Sequence, residues 1–226
     1  MEPQSDSAED REMAVPLFPL PNVILFPGAV LPLHIFEERY KTMTADALAG
    51  DRLIAMALLR PGWEKDYYCK PAIEPVVCVG RIVRWERLED GKYNFLLHGL
   101  SRARILREEN SSPYRIAHVE ELPETCVSED ELAAMRRRLM EMFTSEPLSS
   151  LPLTDALQKI ISSSMPTGVV ADLIAFHALN HLTLKQSLLA ETDVAKRVAR
   201  VISALDAALP VMELASRGAS DSGNYN

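Results

Sequence analysis

Apolar residues recur along this chain with two different periods, and the change of period divides it in two. From Val15 to Leu122 the short apolar runs VPLFPL, VLPLHI, LIAMALL, VVCVGRIVRWERL, KYNFLLHGLSRARIL and YRIAHVEEL are broken by Pro and Gly, the pattern of β-strands bounded by turns. Asp90-Gly91 separates the two longest runs. Both residue types tolerate positive φ, so residues 76–88 and 92–106 are expected to pair as an antiparallel hairpin. Prolines at 16, 19, 21, 27 and 32 argue against a regular central strand, so residues 16–32 are expected to be edge strand and ordered loop. One helix interrupts the strands: Phe36, Tyr40, Met43 and Ala47 fall at helical spacing, with Gly50 placed to stop it.

From Ser128 the period becomes 3.6. Ser128-x-x-Glu131 is a capping box, followed by Leu132, Met135, Leu139 and Met142 on one face, with Pro147 and Pro152 beyond. Thr154 is placed to cap a short helix carrying Leu157, Ile160 and Ile161. Pro166-Thr167-Gly168 opens another through Val170, Leu173, Ile174 and His177. A long final helix carries Val194, Val198, Val201, Leu205 and Leu209. The expected class is therefore α+β: an acidic disordered leader over residues 1–13, a β-rich subdomain over 14–124, a helical subdomain over 125–214 and a disordered polar tail over 215–226.

Composition narrows the function classes. With 47% hydrophobic and 25% charged residues among 226, the chain has the make-up of a folded globular protein. A net charge of −8 repels phosphate backbones overall. Cys69, Cys78 and Cys126 are odd in number and contain no CxxC, which speaks against a disulfide framework or thiolate zinc and for reduced thiols in a cytoplasm. The acidic first residues have no basic start leading into an apolar run, and no stretch approaches the ~18 apolar residues of a membrane helix.

Gly91-Lys92 is followed by Tyr93 rather than Ser or Thr, so it is not a phosphate loop. His177 and His181 are four apart, expected on one helix face, but Ala178 stands where a zinc protease carries its Glu. His34, His98 and His118 have no partner placed by sequence. Ser149-Ser150 and Ser162-Ser163-Ser164 lack nucleophile-elbow and Ser-x-x-Lys spacing. Glu37-Glu38 and Glu129-Asp130-Glu131 fall near helix starts, where the dipole favours anions. No enzyme, metal or cofactor is expected. Arg81, Arg84, Arg87, Arg102, Arg104 and Arg107, near Trp85 and Tyr93, suggest a basic stripe for nucleic acid as an alternative. Against it, three-residue spacing on a period-two strand alternates faces, and Glu86, Glu89 and Glu108 dilute the charge. Arg136-Arg137-Arg138 reads as the outer face of the capped helix.

The stretch from Pro16 to Tyr40, PLFPLPNVILFPGAVLPLHIFEERY, resembles the opening signature of the Lon protease amino-terminal domain family. Val79-Gly80-Arg81-Ile82 and the run from Gly91 to Ile105 resemble that family's paired middle strands. Residues 171–175, 185–191, Asp193-Val194 and Arg197 resemble its helical half, so the resemblance covers about residues 14–209. It implies a PUA-like pseudo-barrel packed against a helical bundle, which recognises unfolded or damaged polypeptides and does no chemistry. The coiled coil, ATPase and Ser-Lys peptidase of the full protease have no counterpart here. A stand-alone protein-binding module is therefore expected, an adaptor or holdase working alone or with a separate ATPase or protease. Such a module needs exposed apolar and aromatic surface. The loop over residues 60–68, with Trp63, Tyr67 and Tyr68, is the first candidate, and Phe26, Leu31 and Leu33 in the Pro-rich segment are the second. For both, packing against the barrel is the competing explanation.

Overall fold

The computed structural model describes residues 12–66, 70–109, 113–125, 127–150 and 152–221. In chain order the elements are β1 (Glu12–Leu20), β2 (Val30–Ile35), α1 (Glu38–Ala49), β3 (Leu53–Leu58), β4 (Val76–Arg87), β5 (Tyr93–Glu108), β6 (Arg115–Glu121), α2 (Glu129–Thr144), α3 (Thr154–Ser162), α4 (Thr167–Ala178), α5 (Leu182–Leu189) and α6 (Val194–Asp221). They form two units, one of residues 1–123 with 182–190 and one of residues 124–181 with 191–226. The class is α+β, as the two periods indicate.

In the first unit the strand order is β2-β5-β4-β3-β1-β6, and β5 also pairs with β6. Strands β1, β3, β4, β5 and β6 therefore close on themselves, which removes their edges, and β2 stands outside the ring. The length of β5 makes this possible. Its residues 93–98 pair with β2 and 103–108 with β6, on the same side, while β4 runs along the other. The interior is filled by Val15, Leu17, Ala55, Val77, Ala103 and Val119 with their neighbours, side chains short enough for a narrow barrel. The hairpin at Asp90-Gly91 forms as expected: Gly91 takes φ +78°, and the Leu88 amide donates to the Lys92 carbonyl at 2.8 Å.

The proline argument fails at β1. Pro16 and Pro19 lie inside a strand flanked on both sides, by β6 and by β3. The reason is stagger: Glu12–Leu17 pairs with β6 and Leu17–Leu20 with β3, so only Leu17 is held from both sides and each proline has one side open. Helix α1 buries Tyr40, Met43 and Ala47 and packs on β1 through the Phe18 and Tyr40 rings, 4.5 Å apart. Phe36 precedes it and is 60% exposed. Helix α5 groups with the strands although its period is helical. Gln186 donates to the Val76 carbonyl at 2.8 Å, and Arg102, 2% exposed, donates Nε to the Leu189 carbonyl at 3.0 Å. A buried guanidinium needs acceptors, and the last-turn carbonyls of a helix have no intrahelical partner.

The second unit is helical. The capping box at Ser128 and Glu131 is present, and Leu132, Leu139, Met142 and Phe143 are the buried face of α2. Thr154 is not a cap but the first residue of α3, buried, with its hydroxyl donating to the Leu148 carbonyl. Arg136 does not lie on a solvated outer face. It donates to the carbonyls of Ile161 (2.8 Å), Ser163 and Met165 (2.6 Å), closing the carboxyl end of α3. Glu129 does the converse for α4, accepting from the Thr167 amide at 2.9 Å and its hydroxyl at 2.5 Å. Those bonds, with Arg136 adding to them, hold the Glu129 carboxyl below its ordinary 4.5. A depressed folded pKa contributes stability in full above the unfolded value and loses it as pH falls through the folded value. Glu129→Gln is therefore expected to flatten the acid-side fall in stability between about pH 5 and pH 3. Urea titrations at both pH values measure it, and equal acid losses in both proteins would refute it.

Candidate functional site

Trp63 opens a short 3-10 turn, Trp63–Asp66, entered through Gly62 at φ +91°. The preceding segment is pinned by the Leu59–Ile73 bridge and by the Glu74 amide, which donates to the Leu58 carbonyl at 2.9 Å. Arg60 and Glu74 add an ion pair at 3.3 Å. The half-buried Trp63 ring then borders a cavity of about 500 Å³ whose other walls include Leu58, Leu59, Pro75, Val76 and Leu182. Gln186, held by its bond to Val76, is a buried polar group in that wall. Tyr67 and Tyr68 lie outside the described residues.

The Pro-rich candidates separate. Phe26 is 0% exposed and belongs to the core, and its carbonyl accepts from the Ala29 amide at 3.1 Å. It offers no surface for a client. Leu31 and Leu33 are half-buried on β2, facing the same side as Phe95 and Leu97 across the ladder. Leu33 borders a second hollow, of about 590 Å³, over β2, β5 and β4.

That hollow sits where sequence alternation gives the wrong answer. Arg81 pairs with His98 and Ile82 with Leu97, but Arg84, not Val83, pairs with Leu96. The bulge at Val83 shifts the register by one, so Arg81 and Arg84 share a face instead of alternating. The same outer face carries Val30, Pro32 and His34 of β2, His98, Leu96 and Asn94 of β5, and Glu86 of β4. His34 Nδ1 lies 2.7 Å from Asn94 Oδ1, and its ring stacks on Phe36 at 6.1 Å. The only trace of the bulge in the sequence is Ile82-Val83, two apolar residues where alternation asks for one. The six arginines do not form one stripe. Arg102 is buried, Arg87 lies over the Tyr93 ring at 5.8 Å, and Arg107 bonds Glu12 and His118.

His177 and His181 do not share a helix face, because α4 stops at Ala178 and His181 follows it. Among the described residues no group of three or more His, Cys, Asp or Glu is placed to hold a metal ion, and no helix is long and apolar enough to cross a membrane.

The family model of the ATP-dependent protease La (LON) substrate-binding domain matches residues 14–207, from within β1 to within α6. The chain belongs to the LON substrate-binding domain family. It is 27% identical over 219 residues to the Lon protease of Dictyoglomus thermophilum, covering 96% of this chain and 27% of that protein. It is 30% identical over 205 residues to Lon protease 2 of Sorangium cellulosum, covering 89% and 25%. The chain thus spans about a quarter of the length of these curated relatives. Two solved structures share the fold. The N-terminal domain of Mycobacterium avium complex Lon protease superposes with TM-score 0.66 at 18% identity, over 86% of this chain and 98% of that one. The Lon N-terminal domain protein from Xanthomonas campestris gives 0.61 at 22%, over 84% and 98%. Both the Trp63 cavity and the outer face of β2, β5 and β4 lie within the LON match.

Proposed function

We propose that this LON-family chain is a non-catalytic polypeptide-recognition module that binds unfolded or damaged segments in the cytoplasm and serves as an adaptor, alone or with a separate ATPase or protease. The family match to a substrate-binding domain supports it. The observation that carries it is the apolar cavity beside Trp63, whose volume of about 500 Å³ suits one or two large apolar side chains. Burial of apolar surface is non-directional, so such a cavity takes Leu, Phe or Met from many sequences, as a binder of unfolded chains must. One buried side chain contributes only ~1.5–3 kcal/mol, which makes each contact weak and readily released.

Trp63→Ala removes one wall of the cavity and is expected to weaken binding of a denatured client about tenfold, since aromatic anchors carry a disproportionate share of interface energy. Anisotropy of a labelled, reduced and denatured client measures affinity, light scattering measures delayed aggregation, and a thermal melt checks that the variant is folded. A wild-type protein that neither binds nor delays aggregation refutes the reading. A folded Trp63→Ala protein that binds unchanged refutes the assignment of the cavity.

A further inference from the structure

The outer face of β2, β5 and β4 differs in chemistry from the Trp63 cavity. Arg81 and Arg84 are exposed, and neither has a carboxylate partner among the described residues. On a chain of net charge −8 they form a local pair of cations, of which Arg84 lines, with Pro32, Glu86 and Leu96, a hollow of about 590 Å³, and Arg81 stands on the same face one row away. Their partners across the ladder, His98 and Leu96, are two residues apart on one strand. The two guanidinium groups thus stand on rows separated by roughly 6.5–7 Å, which is also the spacing of alternate side chains in an extended peptide. At the far end of the same face, Glu86 opposes Asn94 and would repel a third acid.

We infer that this face docks an extended acidic polypeptide segment with carboxylates at alternate positions, one on Arg81 and one on Arg84, and a third alternate position that is not acidic. The intervening backbone crosses the hollow over Leu96 and Pro32, and the exposed Phe36 ring, held against His34, supplies apolar surface at its rim. Arginine suits the role because its fork of N–H donors takes a carboxylate in two bonds. The inference rests on the polypeptide-recognition reading and adds to it a class of segment that a purely apolar cavity would not select.

The test uses fluorescein-labelled peptides in a Gly-Ser background with a central Glu-Leu-Glu, Gln-Leu-Gln or Glu-Glu-Leu, titrated by anisotropy against the whole chain. Glu-Leu-Glu is expected to bind about tenfold more tightly than the other two at low salt and to lose that advantage at high salt. Arg81→Glu with Arg84→Glu, both exposed and checked for folding by circular dichroism, should abolish the preference while leaving binding of a denatured client through Trp63 intact. Equal binding of the three peptides by the wild type, or a preference that survives the double variant, overturns the inference. If the denatured client still binds in that case, polypeptide recognition stands without this face. If the client fails as well, both fall. Oligodeoxythymidine bound more tightly than Glu-Leu-Glu, and lost in the same double variant, would assign the face to nucleic acid and overturn the proposal.

Discussion

Gly99→Ala is expected to destabilise the protein by about 2–3 kcal/mol, the upper part of the range for forced overpacking. For a chain of this length that is a fall of roughly 5–10 °C in Tm. A Cβ at this position would sit 2.1 Å from the Phe26 carbonyl oxygen, 2.9 Å from its carbonyl carbon and 3.2 Å from Cys78 Sγ. Two of these are backbone atoms, which cannot rotate aside as a side chain would. Neither can the segment retreat: Leu25, Phe26 and Ala29 are fully buried, the Gly28 amide donates to the Gly99 carbonyl at 2.9 Å, and the Gly99 amide donates to Ala29 at 2.8 Å. Gly80→Ala makes a useful comparison, because its nearest obstacle is a side-chain atom, Leu97 Cγ at 2.8 Å. It should cost less. Calorimetric melts of the two variants measure the difference, and a Gly99→Ala protein melting within about 2 °C of wild type would refute the account.

Arg197→Met should cost more, about 3–5 kcal/mol, because it removes one member of a buried charged group. The Arg197 side chain is fully buried. Its Nε lies 3.0 Å from Asp172 Oδ1, itself almost without solvent contact, and its Nη2 lies 2.6 Å from Glu124 Oε1. Nη1 donates to the Glu191 carbonyl at 2.8 Å. The Nε contact is one of ionic proximity rather than an aligned hydrogen bond, so the charge of Asp172 is the main thing it satisfies. Methionine fills similar space but removes the positive charge 3.0 Å from that carboxylate, in a medium that solvates an ion poorly. Adding Asp172→Leu to Arg197→Met should recover about half of the loss, since the buried carboxylate then goes with its cation and only the part-exposed Glu124 loses its partner. Urea unfolding of the single and double variants measures both terms. A single variant within about 1 kcal/mol of wild type, or a double variant worse than the single, would contradict the argument.

Both predictions fall on residues of the stretches that resemble the Lon amino-terminal family, although neither residue touches the proposed binding surfaces. Gly99 lets two backbone segments meet, and Arg197 joins α6 to α4 and to the chain before α2.

Local chemistry was legible from the chain alone. The Asp90-Gly91 turn, the Ser128 and Glu131 capping box, the buried face of α2 and the α+β class each depend on residues a few positions apart, and their signals are periods and turn residues. Trp63 could be picked out for the same reason, as an aromatic beside a Pro-Gly turn, but its cavity is walled by residues from Leu58 to Leu182 that only folding assembles. What depended on pairing was not legible. Pro16 and Pro19 are tolerated in β1 because β3 and β6 are staggered along it, and Phe26 is buried with its backbone packed directly on Gly99. Arg136 turns from a surface charge into a helix cap because the end of α3 comes to it. Arg81 and Arg84 come onto one face because β4 bulges by a single residue at Val83, and one residue is enough to reverse a period of two.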